Sequence, residues 1–208
     1  MSGEAKFPAL VHDVKAAIRW IRTNAKTHLL DPNKIATWGG SAGGDLSLMA
    51  GVSAGVPELE DLNLGKADQP CNVQAVVAWF PPTDFLKMDE QLAELNMAPN
   101  ADEAHSGSNS PGSLLLGKQI TLIPDLVRAA NPETYIHANM PPFLIQHGTQ
   151  DAIVPHQQSV NMAAKLIRVL REDKVTLELL KGAGHGDPAF ETPQNVRKVL
   201  YYLDTHLK

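Results

Sequence analysis

The chain has only one cysteine, no long apolar run and no excess of positive charge among its 208 residues. Cys71 has no second cysteine with which to form an intramolecular disulfide and no metal-site spacing around it, so we interpret it as a buried, unreactive side chain. No apolar stretch approaches the roughly 18 residues that a membrane span requires. The 18 Lys and Arg against 23 Asp and Glu give a net charge of −5 without a basic stripe, which argues against nucleic acid or an anionic membrane as the main partner. The expected partner is therefore a small molecule.

The composition that is present is that of an ordinary globular protein, with 43% hydrophobic and 20% charged residues and with 15 Gly and 15 Pro. The length fits one large domain, and neither an internal repeat nor a linker divides the chain, so we expect a single domain over residues 1–208. The first residues lack the charged and apolar regions of a signal peptide, which favours a cytoplasmic location provided that the natural chain begins at Met1.

Short apolar stretches alternate with amphipathic segments along the chain. Strands are predicted at 35–38, 73–79, 143–146 and 175–180. Helices are predicted at about 8–24, 46–52, 159–170 and 195–206, the longer ones from apolar residues that recur every three or four positions. Because the strands are almost entirely apolar and helices separate them, the pattern predicts an α/β fold with a mostly parallel sheet covered by helices on both faces.

Residues 84–121 interrupt this alternation, and they contain a polar tract at 100–112 that is rich in Ser, Gly and Asn. Ligands of open α/β sheets bind outside the carboxyl ends of the strands, so we expect this excursion to lie over that edge. Five apolar residues are candidates for lining a pocket, although such residues more often pack on the sheet: Leu86, Met88, Leu92, Leu95 and Phe190.

The Gly-x-Ser-x-Gly sequence at 39–43 lies between a predicted strand and a predicted helix. In this context the pattern predicts a nucleophile elbow, a sharp turn that strains the serine backbone and exposes its hydroxyl at the start of the helix. Gly39, Gly40 and Gly43 allow the strand and the helix to approach, and the backbone N–H of Ala42 can stabilise an oxyanion, helped by the helix dipole. The alternative is a structural turn or a phosphate-binding loop, but the Gly-Lys-Ser/Thr ending of a P-loop is absent. We therefore predict Ser41 as the nucleophile.

A serine hydroxyl needs a general base, and His185 is our candidate among the eight histidines. It follows the fourth predicted strand in a glycine-rich loop at 182–186, where small neighbours leave it room to reach Ser41. His147 and His156 are its competitors because they flank the candidate acid. The Nε2 atom of the base takes the serine proton and later protonates the leaving group.

Asp151 follows the third predicted strand and is our candidate for the acid that orients the histidine. Its carboxylate would accept from Nδ1–H of His185, fixing the tautomer and stabilising the imidazolium. Asp84, in the loop after the second strand, is the alternative acid, or else a turn residue. Asp187 is too close to His185 in sequence to orient it.

The chain order Ser41, Asp151, His185 is the order found in α/β-hydrolases. Six runs carry a wider resemblance, namely GGSAGGDLSLMAG, VQAVVAWFPPTDFLKMD, SLLLG, LVRAANPETYI, PPFLIQHGTQDAIVPHQQS and KGAGHG. On these runs the chain resembles bacterial carboxylesterases of the α/β-hydrolase superfamily, near the feruloyl and acetyl esterase-like and hormone-sensitive-lipase-like groups, over nearly its whole length. The resemblance implies carboxylic ester hydrolysis through an acyl-enzyme on Ser41, with Asp151 and His185 completing the triad and with no metal and no organic cofactor. We expect short-chain or aryl esters as the substrates.

Two positions depart from the pattern of this group. Asp45 follows the glycines where such esterases often carry histidine, and Gln150 stands where a second acidic or small residue is common. Neither change removes a predicted catalytic residue. Asp45 is expected to place a negative charge near the mouth of the site, so the preferences of the group for charged substrates do not transfer.

A larger departure is the missing second oxyanion donor, which this group supplies from a His-Gly-Gly loop upstream of the helix that here begins at Pro8. The four predicted strands correspond to the carboxyl-terminal half of an eight-stranded sheet, so we expect an N-terminally truncated α/β-hydrolase. Loss of one oxyanion donor costs about 10² to 10³ in rate. The strand from Ile35 to Trp38 would form an open edge that invites self-association or pairing with another chain.

Three functions remain open on the sequence. The first is a serine carboxylesterase, the second a non-catalytic fragment or pseudoenzyme of the same fold, and the third a peptidase of the prolyl-oligopeptidase type, which has the same triad order. Neither a propeller domain nor an acidic amine-binding pair is evident, so the peptidase has the least support. The intact set of Ser41, Asp151 and His185 favours the esterase.

Overall fold

Four parallel strands form one sheet, in the order β1-β2-β3-β4, in the computed structural model, which describes residues 4–99 and 103–208. The strands are β1 (Ala36–Gly40), β2 (Ala75–Trp79), β3 (Phe143–Gly148) and β4 (Val175–Leu180). Their register places Ala36 opposite Ala75, and Phe143 opposite Val175. The predicted α/β fold with a parallel sheet is confirmed. Residues 100–102 of the predicted polar tract lie outside the described residues.

Helices connect the strands, as parallel pairing requires. The α-helices are α1 (Ala9–Asn24), α2 (Ala42–Val52), α3 (Met88–Glu94), α4 (Pro111–Leu116), α5 (Pro124–Ala130), α6 (Gln157–Leu170) and α7 (Pro193–Leu207). Single turns of 3₁₀-helix occur at Pro57–Leu59, Ile120–Leu122, Pro132–Tyr135, Glu172–Lys174 and Pro188–Glu191.

The core lies on the two faces of this sheet because successive strand residues point in opposite directions. On one face, Val76 and Ile145 belong to a cluster with buried residues of α1, α2 and α6. On the other face, Val77 and Leu144 pack against Val199 of α7. The two middle strands are therefore covered on both sides, which explains why their sequences are almost entirely apolar.

The observed strands end later than the sequence predicts at two places that matter for the site. β1 continues through Gly39 and Gly40, and β3 continues through His147 and Gly148. In both cases the ladder to the neighbouring strand extends into residues whose side chains are absent or polar. The helix predicted at 46–52 begins earlier, at Ala42, because the glycine-rich segment itself forms its first turn.

The excursion at 84–121 contains short helices that the sequence did not predict. The helices α3 and α4 lie within it and α5 follows it, and each of the three has only six or seven residues. Helices of this length owe their stability to packing rather than to intrinsic propensity. A separate apolar cluster stabilises this region, and its members include Phe85, Met88, Leu116, Ile120 and Val127.

A buried charged cluster attaches α1 to the segment that follows α2. Glu60 accepts from Lys15 Nζ at 3.1 Å and from Arg19 Nη1 at 2.6 Å, and both basic side chains are almost fully buried. The Cys71 thiol donates to the same carboxylate at 2.9 Å. Burial, and then Glu60, raise the pKa of the Cys71 thiol to about 11. The thiol is thus buried as predicted and is held in its protonated form.

Candidate active site

Ser41 lies at the junction of β1 and α2 in a strained backbone conformation. Its φ of 55° and ψ of −122° are values that non-glycine residues rarely adopt. The Ser41 N–H donates to the carbonyl oxygen of Trp79 at 2.9 Å, which ties the turn to β2. A Cβ on Gly39 would lie 2.3 Å from the carbonyl oxygen of Gly43, so only glycine lets the strand end meet the first helical turn. The backbone forms a sharp strand-to-helix turn with Ser41 at its apex.

His185 and Asp151 extend from Ser41 in a chain of hydrogen bonds. The Nε2 atom of His185 is 2.9 Å from Ser41 Oγ, and its Nδ1 atom is 2.8 Å from Asp151 Oδ2. Because an ionised carboxylate only accepts, Nδ1 carries the hydrogen, and Nε2 then accepts from the serine hydroxyl. The structure brings together the three side chains that the sequence singles out, although Ser41 and His185 are 144 positions apart.

The turns that carry Asp151 and His185 touch each other behind these side chains. The Gln150 N–H donates to the carbonyl oxygen of Ala183 at 2.9 Å. A Cβ on Gly148 would lie 2.3 Å from that same oxygen, so glycine is required for the two turns to approach so closely. The backbone therefore fixes the separation of the acid from the histidine.

Asp151 is fully buried and its carboxylate accepts from several donors. Oδ1 accepts from the backbone N–H of Ile153 at 2.9 Å and of Val154 at 2.8 Å. Oδ2 accepts from His185 and lies 3.3 Å from Nε2 of His147. Burial alone would raise the pKa of Asp151, but hydrogen bonds from His147, His185 and Val154 outweigh it and hold that pKa below its usual range. The carboxylate is thus kept ionised inside the protein.

The other candidate acids have different partners. Asp84 accepts from the side chain of Asn131 at 3.2 Å, and Asp187 accepts from the backbone N–H of Ala189 at 2.8 Å. Neither carboxylate forms a hydrogen bond to a histidine within the described residues. Both act as turn or cap residues, which for Asp84 is the alternative interpretation that the sequence offered.

The competing histidines lie away from Ser41. His147 is fully buried, with Nε2 3.3 Å from Asp151 Oδ2 and Nδ1 2.6 Å from Ser159 Oγ. The Nδ1 atom of His156 is buried and has no hydrogen-bond partner within the described part of the chain. His185 is the histidine within hydrogen-bond distance of Ser41.

A cavity of about 390 Å³ opens beside Ser41, with mostly apolar walls. Residues of the excursion contribute to it, and its lining includes Ala42, Phe85, Met88, Leu115 and Val154. Of the five apolar residues expected to line a pocket, Met88 does so, whereas Phe190 instead packs against Phe80. Two cavities of about 450 and 550 Å³ contain neither Ser41 nor His185, so size alone does not mark the site.

Asp45 also lines this cavity, in the first turn of α2, but it is only 6% exposed. Its Oδ1 atom has no hydrogen-bond partner among the described residues. Burial raises the pKa of Asp45 well above its usual range, which favours the neutral carboxyl. The structure thus places the carboxyl largely out of water, and the raised pKa runs against the expected negative charge at the mouth of the site.

Ala42 is the first residue of α2 and is exposed beside Ser41. The backbone N–H groups of the first turn have no acceptor within a helix, so that of Ala42 is available to an oxyanion. Within residues 4–99 and 103–208, no group of three or more His, Cys, Asp or Glu side chains could hold a metal ion. In the same ranges, every helix is too short or too polar to cross a membrane.

The parallel sheet, the strand-to-helix turn and the hydrogen-bonded side chains together define an α/β-hydrolase fold. The model of the BD-FAE family matches residues 1–166, and the chain belongs to this family. The matched range includes Ser41 and Asp151 and stops before His185.

Two esterases of Mycobacterium tuberculosis are similar in sequence. LipC is 33% identical over 182 residues, which cover 87% of this chain and 41% of LipC. LipQ is 33% identical over 165 residues, which cover 79% of this chain and 36% of LipQ. The chain thus spans about two fifths of the length of these curated relatives.

Two solved structures are similar in fold. A truncated form of a carbohydrate esterase from gut microbiota is 34% identical with a TM-score of 0.83, covering 99% of this chain and 70% of that one. A bifunctional GH43-CE protein of Bacteroides eggerthii is 33% identical with a TM-score of 0.85, covering 100% of this chain and 28% of that one.

Proposed function

We propose that this chain carries the catalytic residues of a serine carboxylesterase, with Ser41 as nucleophile, His185 as general base and Asp151 as orienting acid. The observation that carries the proposal is the chain of two hydrogen bonds, 2.9 Å from Ser41 to His185 and 2.8 Å from His185 to Asp151. The esterase names of LipC and LipQ support the same class of reaction.

The chemistry follows from this arrangement. Ser41 Oγ attacks the ester carbonyl carbon while its proton passes to Nε2 of His185, and the oxyanion of the tetrahedral intermediate accepts from the N–H of Ala42. The intermediate collapses as the imidazolium gives its proton to the departing alcohol oxygen, which leaves an acyl-enzyme. Water then attacks the acyl carbon, His185 takes its proton, and the carboxylic acid leaves as Ser41 is regenerated. Every step uses residues of this chain and needs no cofactor.

The cavity beside Ser41 supports short-chain or aryl esters as substrates. Its volume of about 390 Å³ is at the small end of the range for ligand pockets. Its walls at Phe85, Met88 and Leu115 suit an apolar acyl or aryl group.

A fluorophosphonate probe tests the assignment because it forms a covalent bond with an activated serine. We expect labelling of the native chain, and its loss in Ser41→Ala and in His185→Ala. Ser108→Ala removes an exposed serine elsewhere and is the control, which we expect to label normally. Equal labelling of all four proteins contradicts the assignment, and no labelling of folded native protein favours a pseudoenzyme. Cleavage of a prolyl peptide in preference to an aryl ester favours the peptidase.

We also propose that the outer edge of β1 pairs with another chain or with a second copy of this one. Strand β1 ends the sheet order, and Trp38 is 39% exposed. An unpaired strand edge is a template for further pairing. Sedimentation velocity over a wide concentration range is expected to show association, and a monomer throughout contradicts association between copies.

A further inference from the structure

A second histidine, besides His185, lies close to the carboxylate of Asp151. His147 is fully buried near the end of β3, and its Nε2 atom lies 2.8 Å from the carbonyl oxygen of Val154 and 3.3 Å from Asp151 Oδ2. Its Nδ1 atom lies 2.6 Å from Oγ of Ser159, which is also fully buried in α6. Both ring nitrogens therefore have partners.

These partners determine where the hydrogens of His147 lie. The carbonyl oxygen of Val154 can only accept, so Nε2 carries a hydrogen. The Ser159 hydroxyl forms no other hydrogen bond within the described residues, so its hydrogen goes to Nδ1, and this leaves the ring neutral. The Nε2–H group is then shared between Val154 and Asp151.

We propose that His147 is a positioning residue for the acid, and that Asp151 is held between two Ser–His pairs. The line of side chains runs Ser41, His185, Asp151, His147, Ser159. His185 donates to Asp151 Oδ2 at 2.8 Å, and the Nε2–H of His147, which donates to Val154, lies 3.3 Å from the same oxygen. The inference rests on the proposed function, in which Asp151 orients His185. His147 restricts the rotation of the carboxylate and draws part of its negative charge away from His185.

The second effect has a direction that can be measured. With His147 in place, the charge of Asp151 that faces a protonated His185 is reduced, so the base loses its proton at lower pH. The titratable groups that face His147 are Asp151, His185 beyond it, and His156 from the start of α6. Burial lowers the pKa of His156, which favours its neutral form near neutral pH.

Two amide substitutions separate positioning from packing. In His147→Gln the amide nitrogen takes the place of Nε2 and still donates to Asp151. In His147→Asn the shorter amide reaches Ser159 but not Asp151. We expect Asn to lower kcat about tenfold, as loss of one hydrogen bond to a charged group allows. We also expect it to move the acid limb of the pH–rate profile upward by about half a unit, whereas Gln retains the native profile.

A spectroscopic measurement on the free protein completes the test. The low-field proton resonance of His185 Nδ1–H should move in His147→Asn, because Asp151 then binds that proton more strongly, and should stay in place in His147→Gln. The inference is contradicted if His147→Asn changes neither the acid limb of the pH–rate profile nor the His185 Nδ1–H resonance, even if this variant is less stable than the native protein. If His147→Asn does not fold, the double variant His147→Phe, Ser159→Ala removes the Nε2–H donor without leaving the Ser159 hydroxyl buried and unpaired. The acid limb and the His185 resonance are then measured in the double variant.

The failure of the proposed function can be told apart from the failure of this inference. If the native chain shows no Ser41-dependent hydrolysis, the esterase proposal fails, while the resonance of His185 still reports whether His147 acts on Asp151. If native hydrolysis depends on Ser41 but both amide variants share the native profile, only the role of His147 is contradicted.

Discussion

Two buried carboxyl groups belong to the surroundings of Ser41, and they differ in their hydrogen-bond partners. Asp151, in the turn after β3, accepts from two backbone N–H groups and from His185, and the Nε2 atom of His147 lies 3.3 Å from it. Asp45, in the first turn of α2, has an Oδ1 atom with no donor among the described residues. The first pKa is held low and the second is raised. Burial therefore does not decide whether a carboxyl group is charged; the hydrogen-bond donors around it do.

The largest expected effect comes from changing Asp151, the member of this pair that has hydrogen-bond donors around it. In Asp151→Asn the amide would donate to His185, leaving the wrong tautomer facing Ser41, and we expect kcat to fall about 10⁴-fold. Steady-state hydrolysis of an aryl ester measures it. Asp187→Asn is the control, because its oxygen still accepts from the backbone N–H of Ala189, and we expect activity within a few-fold of native. A loss below tenfold for Asp151→Asn would show that the acid is not needed.

The second effect comes from removing Asp45, whose Oδ1 atom has no hydrogen-bond partner in the described part of the chain. Asp45→Leu replaces an unsatisfied buried group with an apolar one, so we expect the free energy of unfolding at pH 7 to rise by about 1 to 3 kcal/mol. Urea denaturation measures the change. Asp13→Asn alters an exposed acid that lines the same cavity and should change stability by less than about 0.5 kcal/mol. Destabilisation by Asp45→Leu would mean that the carboxyl has a partner in solution.

The smallest effect is a pH dependence of opposite sign at the two carboxyls. The raised pKa of Asp45 gives a stabilising contribution that is complete below the unfolded value of about 4 and is lost as the pH rises through the folded value. The lowered pKa of Asp151 gives a contribution that is present above about 4 and is lost as the pH falls.

Urea denaturation between pH 3 and pH 7 compares these two contributions. The stability of native protein relative to Asp45→Leu should decrease with pH, and relative to Asp151→Asn it should increase, each on the order of 1 kcal/mol. Parallel curves for native protein and both variants would contradict the contrast.

Local signals explain why much of the site could be predicted from the sequence. The Gly-x-Ser-x-Gly motif, the strand before Asp151 and the glycine-rich loop around His185 are each contained in a few residues. Parallel strands bring their carboxyl ends to one edge, so these three signals meet there. The alternation of strands and helices predicted the parallel sheet, because strands that are almost entirely apolar need helices on both faces.

The remaining features depend on tertiary contacts that no local pattern contains. His147 looked like a competing base because its position four residues before Asp151 does not tell which way its ring points. Its hydrogen bonds to the buried Ser159 and to the carbonyl oxygen of Val154 show that its ring is directed away from Ser41. Asp45 looked charged because the sequence does not reveal its burial, and the short helices α3 to α5 are too brief to show a period.

The contact between Gly148 and Ala183 also bears on how this site can be altered. The turn after β3 and the turn after β4 are in direct backbone contact through the carbonyl oxygen of Ala183. Asp151 and His185, which these turns carry, are therefore expected to shift together. Replacing one turn with that of a homologue would disturb this backbone contact, whereas replacing both turns together would preserve it. Engineering the distance between nucleophile and base therefore has to act on the β1 side, where Ser41 depends on a different set of glycines.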